Sequence, residues 1–237
     1  LGGAAAATAY PFVASGQQIT IPVVGFLRSS LQSGSMHMVA AFRAGLKEAG
    51  FIEGQNVTIE FLWGEDRNER LPALVAELVR RPVSVIVGDT PAAFAAKAAT
   101  GTIPIVFASG ADPVREGLVT SLNRPGGNVT GVNFLFAVLG SKRLDLLHQL
   151  VPKASIIGVL VNPGSPNTEA ERRDVEAASK VMGVQLIVLA VNDDRGIDDA
   201  VATLVQRGAG AIYVGSGSFM NTRRERIVGL AARHAIP

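Results

Sequence analysis

Residues 156–171 read IIGVLVNPGSPNTEAE: an apolar run, a loop of Pro, Gly, Ser and Asn, then the first turn of a charged helix. Residues 23–37, VVGFLRSSLQSGSMH, follow the same grammar much earlier in the chain. Both open with two β-branched residues, a glycine, an apolar residue and a leucine (Val23-Val24-Gly25-Phe26-Leu27 and Ile156-Ile157-Gly158-Val159-Leu160). A chain that starts a βα unit twice in this way reads as two similar α/β lobes in tandem, with something held between them.

Working outward, Val- and Ile-rich runs alternate with helical segments. Strands are expected over 21–27, 56–62, 83–87, 103–107 and 129–133, and again over 156–161, 185–190 and 211–214. Helices are expected over 35–49, 67–80, from Thr90-Pro91 onward, over 113–121, 141–150, 168–182, 197–206 and 221–234. Near-continuous apolar strands between helices indicate parallel sheets covered on both faces. Two sheets of four or five strands fit better than one of eight, with a first lobe over 19–135 and a second over 136–237. Ala235-Ile236-Pro237 reads as the start of another strand, so the second lobe is expected to be incomplete as given.

Ahead of the first strand, LGGAAAATAYPFVASGQQ (1–18) is small and apolar without helical periodicity. With Ala14-Ser15-Gly16 before Gln17 it reads as the remnant of a secretory signal, cleaved near Gly16. Export to the periplasm is the expectation. The run is short and contains Pro11, which argues against a spanning helix.

Composition excludes several classes. Twenty-two basic and 20 acidic residues leave a formal charge of +2, too balanced for a nucleic-acid partner, and the arginines read as solvated helix faces. There is no cysteine, which removes thiol catalysis, Cys-ligated zinc, disulfides and an acyl-anchor Cys. His37, His148 and His234 stand apart without metal-ligand spacing. GSGSF (215–219) is not a nucleophile elbow, and neither a Walker A loop nor G-x-G-x-x-G after the first strand occurs. No catalytic, metal or cofactor site is expected. Asp193-Asp194 and Asp198-Asp199 fit the start of a helix, where acidic side chains meet the positive dipole end.

What remains is a set of polar loops. In parallel α/β sheets ligands bind beyond the carboxyl ends of the strands. Those loops carry Ser29 and Ser30 after the first strand, Asp89 and Thr90 after the third, and Ser109 and Asp112 after the fourth. In the second half they carry Asn162, Ser165 and Asn167, then Ser216 and Ser218. Hydroxyls and backbone N–H groups at helix N-termini suit a carboxylate or another small anionic group. Taken singly, Thr90-Pro91 and Asp112-Pro113 also read as N-cap/N1 pairs, and Thr168-x-x-Glu171 as a capping box. The collective expectation is a ligand between the two sets, a carboxylate held by Thr90 and the N–H groups behind it.

Five longer stretches add a resemblance: FRAGLKEAGFIEGQNV (42–57), RLPALVAELVRRPVSVIV (70–87), AAKAATGTIPIVFASGADPVREGLVTSLNRPGGNVTGV (95–132), KRLDLLHQLVPKA (142–154) and RRERIVGLAARHAIP (223–237). Together they resemble the periplasmic substrate-binding proteins of ABC transporters, in the branch with tryptophan- and other aromatic amino-acid-binding members. The likeness runs through nearly the whole chain after Gln18. It implies a type I periplasmic-binding-protein fold, a small-molecule ligand in an interlobe cleft, and permease subunits as partners. Gly215-Ser216-Gly217-Ser218-Phe219 departs from the Asp-Pro that many members carry before the aromatic residue. A ligand-sensing domain of a receptor or regulator with the same fold is the rival reading. A regulator would need a helix-turn-helix and a sensor a membrane span.

Overall fold

The computed structural model describes residues 21–134 and 139–237. The signal reading of 1–18 and the lobe boundary at 135/136 lie outside these residues.

Five strands, β1 (Val23–Arg28), β2 (Thr58–Trp63), β3 (Val85–Asp89), β4 (Ile105–Ser109) and β5 (Val129–Asn133), form a first sheet. Its order is β2-β1-β3-β4-β5, and every pairing is parallel. A second parallel sheet has the order β7-β6-β8, from β6 (Ile156–Val161), β7 (Gln185–Ala190) and β8 (Ala211–Val214). Three strands stand here, among the described residues, where four or five were expected. The last residues run beside β8, and Ile212 N donates to Pro237 O at 2.7 Å.

The apolar runs become strands because both faces are covered. One face of the first sheet packs on α2 (Leu71–Arg80) and α3 (Thr90–Ala99) through Leu27, Val75, Leu78, Ile86 and Ala96. Its other face packs on α1 (Met36–Glu48) through Phe26, Val39 and Ile59. In the second half, α4 (Gly140–Leu150) and α5 (Thr168–Met182) cover one face through Leu144, Val159 and Val175. On the other face α6 (Asp194–Gln206) and α8 (Arg224–Arg233) do so through Leu160, Val201, Leu204 and Leu230.

The repeated glycine now has a cause. A Cβ on Gly25 would lie 2.9 Å from Leu78 Cδ1, and one on Gly158 would lie 2.4 Å from Leu204 Cδ1. In each half the first strand therefore lets a leucine of the second crossover helix press onto its backbone. The βα units are equivalent, not merely alike in composition.

Two expected helices differ. Residues 113–121 form turns: Asp112 Oδ1 accepts from Val114 N and Arg115 N, but the chain does not continue as a helix. The helix expected over 221–234 is two, α7 (Ser218–Thr222) and α8, meeting at Arg223. The segment before α2 begins as a 3-10 turn, Asn68–Arg70.

Candidate functional site

Both sheets reverse strand order beside their first strand, between β1 and β3 and between β6 and β8. At such a switch point adjacent βα loops diverge and leave a crevice. Here the two crevices form one cleft of about 870 Å³, toward the large end of small-molecule sites.

Eight of the eleven expected positions line it: Ser29, Asp89, Thr90, Asn162, Ser165, Asn167, Ser216 and Ser218. The other three sit behind the wall. Ser30 Oγ is buried against Ser35 Oγ at 3.0 Å. Ser109 Oγ accepts from Ala111 N and from Thr90 Oγ1, and Asp112 closes its own turn.

The capping assignments change. Asp89, not Thr90, caps α3, accepting from Ala92 N at 3.3 Å. Its carboxylate also accepts from Ser29 N (3.1 Å), Ser29 Oγ (2.7 Å) and Ser218 Oγ (2.9 Å). Thr90 spends its hydroxyl hydrogen on Ser109, so it is not the cap that its Pro91 neighbour suggested. The capping box at α5 does not form either. Thr168 Oγ1 donates to Asn162 O at 2.6 Å, and Glu171 turns inward.

Glu171, 3% exposed, organises the second wall. It accepts from Ser216 N (2.8 Å), Ser216 Oγ (2.6 Å), Tyr213 Oη (2.6 Å) and Arg143 Nη1 (2.8 Å). Arg143 stacks on the Tyr213 ring and donates to Val214 O. Burial, then the Glu171 charge and hydrogen bond, push the Tyr213 hydroxyl above its ordinary range, which keeps it a donor. Asn167 Nδ2 donates to Ser216 Oγ at 2.5 Å, and Ser165 Oγ to Asn167 Oδ1 at 2.6 Å. The second-half loops are thus held by their own side chains.

Contacts cross the cleft. Besides Ser218 to Asp89, Asn68 Nδ2 donates to Gly164 O at 2.7 Å. Arg223, 9% exposed, bridges Asp66 of the first half at 2.5 Å and Asp194 of the second at 2.7 Å. Its guanidinium also lies 3.9 Å from the Phe219 ring centroid. Arg224 Nη1 and His37 Nε2 approach to 3.1 Å. Desolvation, then the Arg224 and Arg28 cations, lower the His37 pKa. Reading every arginine as a solvated helix face fails for Arg143 and Arg223, whose partners are distant in sequence.

The walls carry aromatic residues that sequence reasoning did not assign: Phe26, Phe42 and Phe134 on one side and Phe219 on the other. Arg28 also lines the cleft. It stands directly before Ser29 at the end of β1, the one sequence signal that marked it. Among the described residues no cluster of His, Cys, Asp or Glu could hold a metal ion, and no helix is long and apolar enough to cross a membrane.

A family model for ABC transporter substrate-binding proteins matches residues 6–237. The chain belongs to that family. A tyrosine-binding protein of Clostridioides difficile is 27% identical over 197 residues, covering 83% of this chain and 56% of the relative, so the chain spans little more than half of that protein. Among solved structures, the ABC domain of Streptococcus pneumonia in complex with L-Trp superposes with a TM-score of 0.76 at 24% identity, over 92% of this chain and 73% of that one. A conserved domain protein of Vibrio cholerae gives 0.79 at 24% identity over the same shares. The fold is the type I periplasmic-binding-protein arrangement, with parallel sheets flanked by helices, and the matching family and the tyrosine-binding relative are described as binding proteins.

Proposed function

We propose that the chain captures a small organic ligand in the cleft and delivers it to an ABC importer. The observation that carries this is the cleft itself: about 870 Å³ between two sheet edges, aromatic on its walls and polar where the loops converge. An aromatic amino acid is the ligand class to try first, given the ligands that the relatives' names carry. The halves, 19–135 and 136–237, act as lobes that part to admit the ligand and close on it. A ligand touching both favours the closed state by its differential contacts. The site comprises the eight loop residues that line the cleft, backed by Ser30, Ser109 and Asp112. The protein works in the periplasm, and the partner is the importer's permease subunits.

The test is direct. Mass spectrometry of ligand released from purified protein, followed by calorimetric titration with the compound found and with the twenty amino acids, should give one ligand bound at one site. Absence of saturable binding across that set would refute the reading.

A further inference from the structure

The charged groups at the cleft are matched almost everywhere. Arg143 is spent on Glu171, Tyr213 and Val214 O, and Arg223 on Asp66 and Asp194. Arg224, which also lines the cleft, reaches Glu225 at 3.6 Å with its side chain 46% exposed, so water can satisfy it. Arg28 is the buried exception. It is 7% exposed, lines the cleft, and its Nε is buried with no hydrogen-bond partner. Its ion pair, Nη2 to Asp89 Oδ2, spans 3.7 Å, beyond hydrogen-bond range.

Asp89 cannot supply what is missing. Its oxygens already accept from Ser29 N, Ser29 Oγ, Ala92 N and Ser218 Oγ. A desolvated guanidinium with unused donors is costly unless an acceptor arrives. The guanidinium fork matches the two oxygens of a carboxylate. A buried cation with an open donor, set beside aromatic walls, suits a single negative charge carried on a largely apolar ligand. Since Asp89 is saturated, the unmet capacity on this wall is for an anion, not for an ammonium group.

We infer that Arg28 is the specificity-determining residue of the cleft and that it selects a ligand bearing a carboxylate. This rests on the cleft reading above and moves the carboxylate from Thr90, whose hydroxyl is engaged by Ser109.

The experiment titrates L-tyrosine, L-tyrosinamide, L-tryptophan, L-tryptophanamide and 3-phenylpropanoate into wild type, Arg28→Lys and Arg28→Met. Wild type should bind at least one acid about ten- to hundredfold more tightly than its amide. Arg28→Met should bring that acid to the level of the amide, and Arg28→Lys, a point charge without the fork, should fall between. Thermal melts check that each variant folds, and Arg28→Lys carries the test if Arg28→Met does not. Equal binding of acid and amide by wild type, or a preference that survives in the variants, overturns the role of Arg28 and leaves the cleft reading standing. No binding of any probe to wild type at about millimolar concentration overturns the aromatic-ligand reading and this inference with it.

Discussion

Arg223 joins halves that the proposed function requires to part, so replacing Asp66 by Asn should act on closure. The substitution is mild. Asp66 has φ 60°, a left-handed conformation that asparagine also tolerates, and its N–H bond to Ser29 O at 2.8 Å is untouched. What is lost is one charge of a pair whose side chains are only 9% and 12% exposed. Arg223 retains Asp194 and Phe219, so the cost is that of one charge-assisted hydrogen bond, about 1.5–3 kcal/mol. Taking about 2 kcal/mol, the ratio of joined to parted halves falls roughly thirtyfold, and ligand affinity falls with the joined fraction, by at most that factor, where binding needs both halves. Each half keeps its own core, so the melting of ligand-free protein should change by about 0.5 kcal/mol or less. The chain has no cysteine, and Cys pairs placed at exposed Lys47 and Val181 can carry spin labels without background. Pulsed dipolar spectroscopy should show a broader, longer distance distribution in Asp66→Asn. An unchanged distribution together with a stability loss of about 2 kcal/mol would refute the reasoning, because the pair would then hold the fold and not the closed arrangement.

Three further outcomes are expected. Gly158→Ala places a methyl 2.4 Å from Leu204 Cδ1 and should destabilise by about 1–3 kcal/mol in urea unfolding, whereas Gly45→Ala, with nothing within 4 Å on a helix face, should not destabilise. Glu171→Gln should weaken ligand binding about tenfold, since Ser216 N and Oγ lose their shared acceptor, and amide exchange at Ser216 should quicken. His37 has a lowered pKa, so the folded protein holds it neutral. Its contribution is present above the unfolded histidine value near 6.5 and is lost as pH falls through the depressed folded value, where a charged imidazole would face Arg224. Ligand affinity should therefore weaken on acidification in wild type, and less so in His37→Gln.

Much of this fold was legible in the sequence because its signals are local. An apolar run such as Ile156–Val161 must be covered on both faces, and the Pro/Gly/Ser/Asn loop after it can only turn the chain. Repetition of that pattern at Val23 announced two halves. Strand ends then named eight cleft residues, since parallel sheets place their carboxyl-end loops together. Local rules failed where a distant partner outbid a near one. Thr168 and Glu171 have capping-box spacing, yet Glu171 is drawn to Tyr213 and Ser216, 42 and 45 residues away. The helix expected over 221–234 breaks at Arg223, whose bond to Asp66 spans 157 positions. Asp89 was one polar residue among several until Ser218, 129 positions on, met it across the cleft. That meeting leaves Arg28 buried and short of an acceptor, and no spacing along the chain encodes it. Period and turn chemistry act within a few residues, and the sequence shows them; which charges are matched and which stay open depends on how the two sheets face each other.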